Sequence, residues 1–151
     1  MAEVLYRPFL KATQHVFQLM LDINDVHAEP LNENIRELDT VEVSIGVTGD
    51  LIGQVVYSFP YETCLNMVNI MSGMEISEVD EFVTSAISEV ANIISGNVMT
   101  LLTDENLTCD ILPPKVLMGE VDKGNYTLDT VSCIVTSMGN ICLDIMLNPA
   151  Q

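Results

Sequence analysis

The sequence predicts an α+β domain in which a helix–strand–hairpin unit occurs twice, with two long helices packed on a mainly antiparallel β-sheet. Three observations carry this reading. In the stretch from Asp80 to Met99 the residues Phe82, Val83, Ala86, Ile87, Val90, Ile93, Ile94 and Val98 recur by threes and fours, the spacing of one broad apolar face on a long helix. Val41 to Val47 alternates apolar and polar residues, and after the turn residues Thr48, Gly49 and Asp50 the chain returns through Gly53 to Phe59, as in a hairpin. The chain also echoes itself: Asp22 to His27 resembles Asp104 to Cys109, and Val47 to Tyr57 resembles Val135 to Leu143 with a turn gap. Two such halves place the first helix and the long helix side by side across one sheet.

Taken in order, Pro8 to Leu21 predicts the first helix, because proline is tolerated in the opening turn and Phe9, Ala12, Val16, Phe17 and Met20 form one apolar face. A strand near Val26–Leu31 or Asn34–Leu38 follows, with Pro30 marking an edge or a break. After the first hairpin, Pro60 opens a short helix over Tyr61 to Ser72, which Gly73 stops. Ser77 is the expected N-cap of the long helix, with Glu78, Asp80 and Glu81 placed favourably at its positive end; that helix runs to about Thr103. Cys109 to Leu112 reads as a short strand entering a rigid turn at Pro113–Pro114. Tyr126 to Thr136 and Asn140 to Leu147 form the closing hairpin around Met138 and Gly139.

Composition bounds the function. The chain has 151 residues, of which 48% are apolar, enough for a single domain with its own core spanning 1–151. Five basic residues against 22 acidic ones give a formal charge of −17, which repels nucleic acid and anionic membrane surfaces and suits a partner with a basic patch. No apolar run approaches the ~20 residues of a membrane span, and the N-terminus lacks the pattern of a signal peptide, so a cytoplasmic protein is expected. Cys64, Cys109, Cys133 and Cys142 form no C-x-x-C pair, and His15 and His27 are not clustered with them, which argues against a zinc site. Reduced, buried thiols are the expectation; Cys133 and Cys142 could oppose each other across the hairpin, subject to its register.

The long helix also carries a polar stripe. Ser85, Glu89 and Asn92 stand at i, i+4 and i+7, and Gly96 follows one turn later. Such a stripe can simply be a solvated face. Against that, Asn and Ser are poor interior helix formers, Gly costs about 1 kcal/mol relative to Ala there, and the i,i+4 Glu–Lys pairs common on solvated faces are missing.

The pattern Ser85-x-x-x-Glu89-x-x-Asn92, within the run SAISEVANIISGN, resembles the [DS]-x-x-x-E-x-x-N signature of the CheC/CheX/FliY chemotaxis phosphatases, and the CheX branch in particular. The opening-helix string from Pro8 to Met20, the segments Ile45–Asp50 and Gly53–Ser58, and Cys109–Pro114 share the resemblance, which covers nearly the whole chain. Lys11, His15 and Gln18 occupy the matching positions on the first helix; with Glu and Asn absent, no second site is expected there, and His15 reads as a surface residue. The resemblance implies an enzyme that hydrolyses the aspartyl phosphate of CheY-like receiver domains. In it Asn92 orients the attacking water, Glu89 pairs with the receiver's active-site lysine and Ser85 supports the interface. The resemblance further implies no cofactor of its own, Mg2+ being supplied by the receiver, and a homodimer. Gly96, read from the stripe itself rather than from the resemblance, is expected to let the partner's backbone approach. The alternative is a non-catalytic receiver-binding or flagellar-switch adaptor.

Overall fold

The computed structural model describes residues 2–29, 39–117 and 124–150. Helix α1 spans Ala2–Leu21, and a short strand β1, His27–Glu29, follows it. The first hairpin pairs β2, Thr40–Gly49, with β3, Leu51–Pro60, and leads into α2, Tyr61–Ser72. Helix α3, Glu81–Thr103, opens the second half, followed by two three-residue strands, β4 at Cys109–Ile111 and β5 at Lys115–Leu117, and by the closing hairpin of β6, Leu128–Thr136, and β7, Gly139–Pro149.

All the described pairings are antiparallel, and the strands lie in the order β1-β6-β7-β3-β2-β4, with β5 also on β2. This order is a palindrome. Exchanging the halves converts β1 into β4, β6 into β2 and β7 into β3, with the β3–β7 ladder at the centre. The duplicated unit expected from the sequence echo is thus the organising symmetry of the sheet. Along β2, Val41, Val43, Ile45 and Val47 are buried while the residues between them are not, and β7 points Ile141, Leu143, Ile145 and Leu147 into the same core. The helices supply the other wall: Leu5, Phe9, Ala12, Val16 and Phe17 from α1, and Val83, Ile87, Val90, Ile94 and Val98 from α3.

Several boundaries depart from the sequence reading. Helix α1 begins at Ala2, so Pro8 lies inside it rather than in its first turn. The single backbone bond that Pro8 forfeits is offset by the extra turn, which buries Leu5 to 1% exposure. Met20 is exposed, not part of the apolar face. The cap of α3 is Asp80, not Ser77: the Asp80 carboxylate accepts a 3.0 Å hydrogen bond from the Val83 N–H. The residues before it are held otherwise, Ile76 N–H donating to Asn69 Oδ1 at 2.7 Å while Ile76 and Val79 pack on the core. Of the two places considered for the first short strand, the chain uses the earlier, and the alternative at Asn34–Leu38 lies outside the described residues. Helix α2 ends as expected, Gly73 adopting the left-handed conformation (φ 70°) and donating its N–H to the Asn69 carbonyl.

The cysteines divide. Cys64 and Cys109 are free thiols, but Cys133 and Cys142 form a disulfide, contrary to the expectation of four reduced thiols. The tight turn that sets Thr136 opposite Gly139 also sets Cys133 opposite Cys142, three residues up each strand, with Cα atoms 4.1 Å apart. Burial pushes the Cys64 thiol up to about 12.

Candidate functional site

Helix α3 presents two opposed faces. Val83, Ile87, Val90, Ala91, Ile94, Ser95, Val98, Met99 and Leu102 are buried, and at about 100° per residue they centre on one side of the helix. Ser85 and Glu89 are exposed, and Asn92 and Gly96 are partly so, along the other side. The four residues singled out from the sequence therefore share one outward stripe, within an arc of roughly 60°.

A buried polar contact fixes how α3 is rotated. The Ser95 hydroxyl, 1% exposed, shares a 2.7 Å hydrogen bond with the Tyr57 phenol on β3, itself fully buried between Phe9 and Phe59. Burial raises the phenol's pKa well above its usual value, only partly opposed by the bond to Ser95, so it stays protonated at neutral pH. A polar pair inside an apolar wall can be satisfied in one azimuth of the helix and not in its neighbours. Because Ser95 is locked inward, Asn92 and Gly96 are held outward. Sequence reasoning missed this pair; a serine in the middle of an apolar helical face was its only trace.

The outward side chains are uncommitted. Among the described residues neither Glu89 nor Asn92 makes a side-chain hydrogen bond, whereas Asn66, Asn69 and Asn97 are each bound to backbone groups. A Cβ added at Gly96 would meet nothing within 4 Å among the described residues outside its own stretch of helix, so none of them requires glycine there. The stripe thus offers a carboxylate acceptor, an amide able both to accept and to donate, and a length of bare helix backbone.

Phe82 was expected on the core side and is not there. It is 52% exposed, and it lies seven residues before Glu89, within about 20° of the same direction. Ile93 and Ala86, also expected in the core, are partly buried at its border. On α1, Lys11, His15 and Gln18 are all exposed. Among the described residues no group of three or more His, Cys, Asp or Glu side chains is placed to hold a metal, and no helix is long and apolar enough to cross a membrane.

Residues 41–137, from the first hairpin through the stripe and into the second hairpin, match the family model described as chemotaxis phosphatase CheX. The chain belongs to the CheX family. It is 41% identical over 76 residues to the CheY-P phosphatase CheX of Thermotoga maritima; the match covers 50% of this chain and 49% of that protein, about half of each. The fold is that of crystallised CheX proteins. The chemotaxis protein CheX of Vibrio vulnificus superposes with a TM-score of 0.82 over 95% of this chain and 99% of its own, at 19% identity. The CheX–CheY–BeF3–Mg2+ complex of Borrelia burgdorferi gives a TM-score of 0.72 over 95% and 97%, at 24% identity.

Proposed function

We propose that the protein is a phosphatase that removes the phosphoryl group from the aspartate of a CheY-like receiver domain, with the α3 stripe as its working surface. The observation that carries this is the uncommitted pair of Glu89 and Asn92 on the outward face of a CheX-family helix. An aspartyl phosphate is an acyl phosphate and is already activated; what its hydrolysis mainly lacks is a water held in line with the leaving oxygen. An amide suits that task, its carbonyl accepting from the water and its NH2 donating to a neighbouring oxygen. Asn92 would enter the receiver's phosphorylated site and orient the water. Glu89, about 4.5 Å along the axis, would pair with the receiver's lysine and fix the dock. Ser85 would support the contact one turn earlier, and Gly96 would admit the partner's backbone one turn later. The aspartate, the lysine and the Mg2+ belong to the receiver, so this chain would contribute position and electrostatics rather than a nucleophile or a metal.

Two relatives support the reading. The Thermotoga maritima protein is a CheY-P phosphatase, and the Borrelia burgdorferi CheX is seen in complex with CheY, BeF3 and Mg2+. For assembly, β1 pairs only with Cys133–Val135 of β6, so among the described residues the earlier part of β6 has an open edge on which a second copy could extend the sheet.

The test is phosphate release from a panel of Mg2+-loaded, phosphorylated receivers with wild-type protein and Asn92→Ala in parallel. Acceleration by substoichiometric wild type, reduced at least about 100-fold in Asn92→Ala with binding retained, is the expected result. Binding without turnover would favour the adaptor reading; full activity in Asn92→Ala would overturn the role given to the amide.

A further inference from the structure

We propose that Phe82 is an apolar anchor of the receiver-docking surface, extending the site one heptad toward the start of α3; this rests on the receiver reading of the stripe. The chain has four phenylalanines. Phe9, Phe17 and Phe59 are at most 1% exposed, whereas Phe82 is 52% exposed. Among the exposed large apolar side chains, Phe82 alone lies on α3. It occupies the second position of the helix, directly after the Asp80 cap and Glu81, where a polar residue would serve the helix better. Nothing in the core accounts for it, since its direction is opposite to that of the buried face.

Its place relative to the chemistry is definite. Phe82 stands about 10 Å from Glu89 along the helix axis and within about 20° of its direction, and about 15 Å from Asn92 and about 80° round the helix from it. An ordinary docking surface spans more than that distance, so a partner seated on Glu89 and Asn92 can reach Phe82 as well. Interfaces of this kind draw most of their binding energy from a few aromatic side chains surrounded by polar contacts. Glu89 and Asn92 supply charge and positioning but little apolar area, and Phe82 supplies what they lack. The occupant is therefore a receiver domain that carries an aliphatic or aromatic patch about 15 Å from its phosphorylated aspartate, with the lysine between them.

The experiment compares wild type, Phe82→Ala and Phe82→Leu. It measures affinity for a beryllofluoride- and Mg2+-loaded receiver, steady-state dephosphorylation, thermal stability and sedimentation of the free protein. Expected is a rise in Kd and KM of at least about tenfold for Phe82→Ala, a smaller rise for Phe82→Leu, kcat at saturation within about twofold of wild type, and an unchanged Tm. Wild-type affinity in Phe82→Ala overturns the anchor and leaves the catalytic stripe standing. A fall in kcat at constant KM, a lowered Tm without a change in KM, or a change of oligomeric state in the free protein also overturns it, giving the ring a catalytic, structural or self-association role instead. Failure of the wild type to bind or dephosphorylate any receiver overturns the receiver reading itself, and the anchor with it.

Discussion

Replacing Gly96 with alanine should make the protein more stable and less active. Among the described residues outside its own stretch of helix the added methyl group meets no atom within 4 Å, and position 96 lies deep inside a 23-residue helix. The neighbouring hydrogen bonds, from Asn97 Nδ2 to the Ile93 carbonyl and from Thr100 Oγ1 to the Gly96 carbonyl, involve no atom that the substitution removes. What remains is helix propensity, worth about 1 kcal/mol in favour of alanine, or about 2–4 °C in Tm for a chain of this size. Docking should respond in the opposite sense. Gly96 is one turn, about 6 Å, beyond Asn92 on the stripe, and a methyl there keeps the partner's backbone from closing to contact. A displacement of about 1 Å at a positioned water can cost about 100-fold in rate. Denaturant or thermal unfolding gives the first quantity, and kcat/KM on a phosphorylated receiver gives the second. A variant that is stabilised and fully active would refute the close-approach role of Gly96, while a destabilised variant would refute the open space around it.

Other outcomes can be stated as directly. Tyr57→Phe leaves the Ser95 hydroxyl without its partner in the core and should cost about 1–3 kcal/mol, read as a lower denaturant midpoint at unchanged slope. Asp80→Ala removes the cap from the Val83 N–H and should cost about 1 kcal/mol, whereas Ser77→Ala should cost nothing measurable, a comparison of two melting curves. The Cys64 thiol and the Tyr57 phenol both have raised pKa values in the folded chain, so the unfolded chain loses those protons first as pH rises. Their contribution to stability is complete below about pH 9 and declines as pH climbs toward 12, and Cys64→Ala should flatten the start of that decline in pH-resolved urea titrations. Glu89→Ala should raise KM for the receiver and make it less salt-dependent, in assays at two ionic strengths.

What the sequence disclosed follows from which forces are local. The β2–β3 and β6–β7 hairpins and the end of α2 were legible because alternation, turn residues and Gly73 act within a few positions. The stripe was legible because helical spacing alone gathers Ser85, Glu89, Asn92 and Gly96 on one side. The start of α1 was hidden because Leu5 is drawn into helix by a core it reaches only after folding. Strand β5 was hidden because three residues after Pro113–Pro114 become a strand only by pairing with Glu42–Ser44 of β2. The cysteine pair depended on a register that sequence cannot fix to one residue. Phe82 was misplaced by reading hydrophobicity as burial, although its seven-residue offset from Glu89 already put it on the outer side.

The exchange of short strands has a consequence for how the chain is joined. The arm β1 from the first half lies on the second half's hairpin, and β4 from the second half lies on the first's, like two hands each gripping the other's wrist. The only backbone link between the two runs from Gly73 to Asp80, where Met74, Glu75, Ser77 and Glu78 are exposed and no strand is interrupted. A cut there should leave the ladders and the arms intact. The fragments should remain together as a two-chain particle that keeps the outward stripe of α3 whole, since all of α3 travels with the second piece.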